Sequence, residues 1–408
     1  MKRTLITNIG MLATPQGTAA RGGRAQGEIC ILKNAWILIE NDVIAQVGTG
    51  AVPTAAGAQT IDAGGKLVTP GLVDAHTHLI FDGWRQNELA LKLHGAGYLD
   101  ILAAGGGILS TMRATQSASE EQLEAKASAA LDEMLRFGTT TAEAKSGYGL
   151  STGEECKALR VIGNLQKHHV MDLAATFMGA HAVPEAYRDN RQGYLELLCE
   201  EMLPAVWEQG IAEFCDVFCE KGVFSAEESR RILLTGRQHG LRPKIHADEI
   251  EAIGGSELAG EIGAVSAEHL IVCPPSGIAS MAEGGTVACC LPATSFYLGA
   301  AYAPVQDMVQ AGVPVAMATD FNPGSCPCLN MQLVISLGCL RYRLTPEQAL
   351  TAVTLNGAAA ICRADRIGSI EPGKQADILI WNAEDLDYIC YRLGSNLVDT
   401  VIKKGNVV

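Results

Sequence analysis

The stretch Pro70-Gly71-Leu72-Val73-Asp74-Ala75-His76-Thr77-His78 carries the sharpest chemical signal in the chain. In an extended strand, side chains two positions apart leave on the same face, so His76 and His78 can both offer a ring nitrogen to one ion. Other polar residues end apolar runs in the same manner: His246 in Lys244-Ile245-His246-Ala247-Asp248-Glu249, His269 in Ala267-Glu268-His269, and Asp320 in Met317-Ala318-Thr319-Asp320. A lone histidine on an apolar strand is ordinarily a hydrogen-bonded core residue. Several such residues, each at the C-terminal end of its own strand, are the pattern of a barrel active site. A mixed nitrogen and oxygen set of His76, His78, His246 and Asp320 suits Zn²⁺ or an iron ion, whereas Mg²⁺ and Ca²⁺ prefer oxygen alone. Water on such an ion falls in pKa from about 15.7 to about 7, which provides hydroxide at neutral pH. Asp320 can coordinate the ion and take the proton from that water. Glu249, just beyond His246, can pass it to a leaving nitrogen; the same spacing also fits a surface carboxylate at a helix start.

Elements must bring these residues together. Runs at 72–79, 139–144, 173–180, 214–218, 242–247, 264–270, 286–291 and 313–319 read as strands, each followed by a helical stretch or by a loop and a helix. Eight parallel strands over about 250 residues predict a (β/α)₈ TIM barrel, an α/β fold, spanning 69–365. The competing doubly wound sheet expects a Gly-rich dinucleotide turn after its first strand, and none follows here. Gly105-Gly106-Gly107 precedes a helix but lacks the Lys and Ser or Thr of a phosphate loop, so it reads as a plain loop. Short β-like runs at 4–9, 35–40 and 43–47, and again at 376–381 and 398–403, predict a small β-sandwich domain built from both termini, 1–68 with 366–408.

The 408 residues, 48% of them hydrophobic, suffice for a large core. A formal charge of −14 repels phosphate backbones and anionic membranes, so no nucleic acid or membrane partner is expected. No apolar run reaches the roughly 20 residues of a membrane helix, and Lys2-Arg3 leads into a strand rather than a signal peptide. Thirteen cysteines, an odd number in a long chain, predict free thiols in the cytoplasm. Cys326-Pro327-Cys328 has no second pair to complete a thiolate site.

With these residues in view the chain resembles the amidohydrolase superfamily and, within it, the imidazolonepropionase family. The resemblance runs over essentially the whole chain. It is carried by the HxH strand and by Phe81-Asp82-Gly83-Trp84-Arg85-Gln86-Asn87-Glu88, the GGGI core within 98–116, Lys145-Ser146-Gly147-Tyr148-Gly149-Leu150, Met178-Gly179-Ala180-His181, His246-Ala247-Asp248-Glu249 and Thr319-Asp320-Phe321-Asn322-Pro323-Gly324-Ser325. It implies opening of the cyclic amide of 4-imidazolone-5-propanoate to N-formimidoyl-L-glutamate in histidine degradation, by hydroxide on a single Zn²⁺ or Fe ion, in a homodimer. It further implies His76, His78, His246 and Asp320 as metal ligands, and Arg85, Tyr148, His181, Glu249, Asn322, Gly324 and Ser325 as contacts to a small-molecule substrate. Arg85 then holds the propanoate tail through a forked pair of hydrogen bonds. His269 positions the water or the developing oxyanion, an interaction of a type worth about 3 kcal/mol. Lys145 is expected as an electrostatic neighbour of the site; some superfamily members instead carbamylate a barrel lysine to bridge two metals. A heterocycle deaminase would share the ligand set, and Arg85, Tyr148 and Asn322 speak for the carboxylate-bearing ring. A non-catalytic barrel would lack the ligands.

Overall fold

The computed structural model describes residues 2–54, 57–94 and 106–408. Its strands form two sheets. The first eight-stranded sheet contains β1 (Arg3–Thr14), β2 (Cys30–Glu40), β3 (Val43–Thr49), β4 (Gln59–Asp62), β5 (Leu67–Pro70) and, from the other end of the chain, strands Ile378–Trp381, Val398–Lys403 and Asn406–Val407. It is mixed: β1 runs antiparallel to β2 and parallel to β4 and β5. The sheet folds over on itself. Ile6, Ile37, Ile44, Ile378 and Ile402 meet in one buried cluster, and a bridge from Val43 to Gln375 draws β3 against the approach to Ile378–Trp381. The terminal runs predicted at 4–9, 35–40, 43–47, 376–381 and 398–403 fall on these strands. β4 and Asn406–Val407 lie outside the predicted runs, being short and largely exposed.

The second sheet is parallel throughout and follows chain order: β6 (Leu72–Asp74), β7 (Thr139–Lys145), β8 (Asp172–Ala180), β9 (Phe214–Cys219), β10 (Arg242–Ala247), β11 (Ser266–His269), β12 (Val287–Cys290) and β13 (Val315–Met317). Eight parallel strands with intervening helices make the predicted barrel. Past their ends the first and last strands meet: Asp320 N donates to His76 O at 3.0 Å, His78 N to Phe321 O at 2.9 Å, and Thr319 N to Asp74 Oδ1 at 3.0 Å. At the opposite end the helix Leu355–Ala360 and Ile361 pack with Ala174, Phe214, Cys289 and Ala316 in an apolar cluster. The helices turn one apolar stripe inward. In Glu120–Arg136 the buried positions are Leu123, Ala127, Leu131 and Met134, spaced at three and four, and Ser119 caps the helix in a reciprocal box with Gln122.

Residues 98–105 of the Gly-rich motif lie outside the described residues. Gly107 caps the helix Ile108–Ser117, and its amide donates to Glu88 Oε1 at 2.7 Å. A carboxylate thus takes the amide that a phosphate would use.

Candidate active site and metal centre

The barrel topology delivers five polar side chains to one buried point. His76, His78, His246, His269 and Asp320 are each at most 3% exposed. Ligand atoms of His76, His246 and His269 lie within 4.8 Å of one another, as do those of His76, His78 and Asp320. Asp320 Oδ1 stands 3.4 Å from His76 Nε2 and 3.6 Å from His78 Nε2, and His78 Nε2 faces His246 Nε2 at 3.3 Å.

Two features show what this cluster suits. Burial holds His76 and His78 well below the ordinary histidine range, and neighbouring charges add to it: Lys145 and His246 for His76, and His181 and His246 for His78. Both imidazoles are therefore neutral with a lone pair to give. Second, His76 Nε2 and Asp320 Oδ1 are buried without a hydrogen-bond partner. Buried polar atoms left in that state are costly, and a metal ion among them satisfies both. The donor set of imidazole nitrogens and one carboxylate fits zinc or iron.

Beneath the candidate ligands lies a layer of fully buried charge. Glu143 and Lys145 on β7, Asp216 on β9, Lys244 on β10 and Glu268 on β11 are all 0% exposed. Lys145 Nζ sits 2.7 Å from Asp216 Oδ2 and 2.8 Å from Glu143 Oε2; Lys244 Nζ is 3.2 Å from both Glu143 Oε1 and Glu268 Oε1. From this layer, Glu268 Oε2 meets His76 Nδ1 at 2.7 Å and Asp216 Oδ1 meets His246 Nδ1 at 3.1 Å. Each carboxylate takes an Nδ1–H, which leaves Nε2 free to coordinate an ion, the usual support behind a ligating histidine. Thr294 Oγ1 likewise donates to Asp320 Oδ2 at 2.7 Å and leaves Oδ1 open. Burial would lower the Lys145 ammonium, but Asp216 and Glu143 outweigh it and hold it above the ordinary lysine range. A carbamate requires the neutral amine, so this pairing opposes modification of Lys145.

Around the candidate ligands, loops from several strands carry the remaining candidates. His181 stacks on His78 with ring centroids 4.8 Å apart, and its Nδ1 donates to Gly147 O at 3.0 Å. Burial lowers its pKa to about 3. Tyr148 lies 5.2 Å from the His181 ring and 6.0 Å from the His78 ring. Arg85 spans the lip: its Nε donates to Glu88 Oε1 at 2.9 Å, and its guanidinium lies so close to Gly324 that a Cβ there would come within 2.3 Å of Nη1. Glu249 Oε2 is 3.6 Å from His269 Nε2. Burial pushes the Glu249 carboxyl up to about 7, and lowers His269 to about 4. Asn322 is largely spent on its own loop: its Nδ2 donates to Asp320 O and Ser325 Oγ at 2.8 Å, and its Oδ1 accepts from Gly324 N at 2.8 Å and Ser325 N at 2.7 Å.

The left-handed backbone recurs here, with φ of 69° at His269 and 57° at Asp320. Such conformations cost on the order of 1 kcal/mol or more for non-glycine residues and gather at functional sites. The residues that sequence reasoning passed over are Glu143, Asp216, Glu268, Lys244 and Thr294. The four charged ones had as their only signal a charge set inside a short run, as in Phe214-Cys215-Asp216-Val217-Phe218, and Thr294 had none.

A barrel whose strand ends gather imidazoles and a carboxylate around one buried point defines a metal-dependent hydrolase. The sequence pattern of the amidohydrolase family matches residues 67–408. A relative from Alkaliphilus metalliredigens (strain QYMF), named imidazolonepropionase, is 50% identical over 100% of this chain and 98% of its own length; one of the same name from Bacillus cereus (strain G9842) is 48% identical over 100% and 97%. The chain belongs to the amidohydrolase family, in its imidazolonepropionase branch. Among solved structures, a triazine hydrolase variant superposes with a TM-score of 0.76 at 17% identity, covering 100% of this chain and 94% of that one. An adenosine deaminase from Xanthomonas campestris, with bound zinc, gives 0.70 at 20% over 99% and 92%. At that distance the likeness is one of fold.

Proposed function

We propose that the chain opens the cyclic amide of 4-imidazolone-5-propanoate to give N-formimidoyl-L-glutamate, a step of histidine degradation, with one Zn²⁺ or Fe ion held by His76, His78, His246 and Asp320. The observation that carries the reading is the pairing of a buried, neutral imidazole and carboxylate cluster with a guanidinium at its lip. When bound, the ion supplies Lewis acidity and acidifies water.

This chain's own residues do the rest. Arg85 fixes the propanoate tail at the lip, beside Gly324 and Ser325, while Tyr148 and His181 wall the ring on the β7 and β8 side. Asn322 shapes the loop that presents Gly324 and Ser325. Water adds to the ring carbonyl and the bond from that carbon to nitrogen breaks. Asp320, its Oδ2 held by Thr294, accepts on its cluster-facing side the proton that water gives up. Glu249, paired with His269 across 3.6 Å, returns a proton to the departing nitrogen; a carboxyl held up at about 7 is suited to that exchange near neutral pH. His269 positions the water and the developing oxyanion.

The thirteen cysteines are all free, which supports a reducing cytoplasmic setting. No helix of the described residues is long and apolar enough to cross a membrane. Division into a terminal domain, 1–68 with 366–408, and a barrel domain, 69–365, is supported by the separate sheets. A homodimer follows from the family resemblance and is checked by light scattering. The test of function is loss of substrate ultraviolet absorbance on incubation with metal-loaded protein. No loss at full metal occupancy overturns the assignment.

A further inference from the structure

Glu155 has no place in the chemistry above, yet it is a fully buried carboxylate in the first turn of the helix Thr152–His168. Its oxygens accept three backbone amides of the loop after β7: Gly147 N at 3.0 Å on Oε2, and Gly149 N and Leu150 N at 2.8 Å each on Oε1. The amides flank Tyr148 on both sides. The loop needs such a hold, because Gly147 has φ of 108° and Leu150 a φ of 53°. Gly147 is held on its other side too, its carbonyl taking the His181 Nδ1–H at 3.0 Å. That bond fixes the His181 tautomer and leaves Nε2 as the ring's open atom. Gln116 Nε2 donates to Gly149 O at 2.7 Å, so another side chain serves that carbonyl while Glu155 takes the amides.

Resting on the substrate contacts proposed above, we infer that Glu155 is a positioning residue: one buried carboxylate sets both the Tyr148 ring and the His181 tautomer against the substrate. The charge on both oxygens is what matters. A glutamine of the same shape keeps one acceptor for Gly149 and Leu150 and turns an NH₂ against the Gly147 N–H, donor against donor. Gly147 must then shift, carrying the His181 contact with it.

The test is Glu155→Gln in the metal-loaded enzyme, alone and combined with Tyr148→Phe, with KM, kcat, metal content and Tm measured for each. The expected result is a KM raised about tenfold or more, with kcat changed less and metal content native. In the Tyr148→Phe background the effect of Glu155→Gln on KM should shrink at least threefold, a non-additivity that a purely structural role does not produce. A folded, metal-loaded Glu155→Gln with native KM overturns the inference, as does full additivity with Tyr148→Phe. Should Glu155→Gln fail to fold, Gly147→Ala displaces the same residue from the other side, since its Cβ would lie 3.1 Å from His181 Nδ1; it should raise KM likewise, and a native KM there overturns the inference. If the unaltered enzyme does not turn the substrate over, the proposed function fails rather than this one.

Discussion

Replacing Glu268 by Gln removes one charge and no volume from the layer beneath the ligands. In the native site Glu268 Oε2 accepts from His76 Nδ1 at 2.7 Å, while Oε1 accepts from Ser266 Oγ and lies 3.2 Å from Lys244 Nζ. A glutamine has a single acceptor for these two sides. Turned so that its NH₂ faces His76, it drives the imidazole proton to Nε2, the atom aimed into the cluster, and the ligand is lost. Turned the other way, it keeps a neutral bond to His76 and sets its NH₂ against the Lys244 ammonium. Hydrogen bonds to a charged group are worth about 1.5–3 kcal/mol against about 0.5–1.5 for neutral ones. The difference, about 1–2 kcal/mol, corresponds to roughly 5- to 30-fold in ion affinity. That sits at the lower end of the roughly 10- to 100-fold typical of supports behind a ligand. Competition of the protein with a chromophoric chelator for Zn²⁺, and metal per chain after dialysis, give the number. A folded Glu268→Gln variant whose affinity stays within twofold of native refutes the claim that Glu268 sets the His76 tautomer.

His269→Ala should lower kcat about a hundredfold, in line with removal of one transition-state donor, with metal content unchanged; loss of the ion would make His269 a ligand instead. Arg85→Ala should raise KM about tenfold or more while kcat moves less, the signature of a lost binding contact, and a mainly kcat effect would count against its role in holding the carboxylate tail. Asp172 predicts a pH effect. Burial alone would raise its carboxyl, but Lys403 beside it, with bonds from Lys403, Lys404 and Gln375, brings it from 3.8 down to about 2. A depressed carboxylate stabilises above its unfolded pKa and loses that contribution as pH falls towards its folded one. With 37% of the side chain exposed, screening cuts the contribution to roughly 1 kcal/mol. Thermal denaturation of Asp172→Asn against native should show the deficit above about pH 5 and its decline below about pH 4; a gap independent of pH would exclude the ion pair as its cause.

The shared face of the candidate ligands His76 and His78 was legible because the period of two survives beyond the strand itself. Only Leu72–Asp74 is paired with β7 as a strand, yet the bridge from Thr77 to Phe321 keeps the next residues extended, so His76 and His78 still share a face. β10 was read to the residue, at Arg242–Ala247, because polar Arg242, Lys244 and His246 alternate with apolar residues and the run ends in a turn-prone Asp-Glu pair. The charge layer was hidden for the opposite reason. Asp216 finds Lys145 across 71 positions and His246 across 30, and no local pattern announces a pairing made only when the barrel closes. Glu155 and Glu220 were hidden too. Glu220 accepts Ile250 N at 2.9 Å and Glu251 N at 3.1 Å and so braces the loop of Glu249, but in sequence it is one more acid before a lysine.

The layer also explains why the site should want a divalent ion. Lys145 and Lys244 bring two positive charges; Glu143, Asp216 and Glu268 bring three negative ones, and Asp320 adds a fourth above them. Within this set the carboxylates outnumber the ammonium groups by two in a place where water cannot screen them, which is expensive. Burial raises the pKa of Asp320, and Glu249 adds to it. An ion of charge two restores neutrality, so metal and fold should be linked. Stripping the ion with a chelator should therefore lower Tm, and in the stripped state Asp320→Asn should be more stable than native by about 1–3 kcal/mol, since the amide oxygen of the variant keeps the bond from Thr294 without the charge. With Zn²⁺ present the order should reverse, because the variant has lost a ligand. Calorimetry of both proteins in both states gives the four values. Should Asp320→Asn prove the less stable of the two when stripped, uncompensated charge is not what the ion relieves.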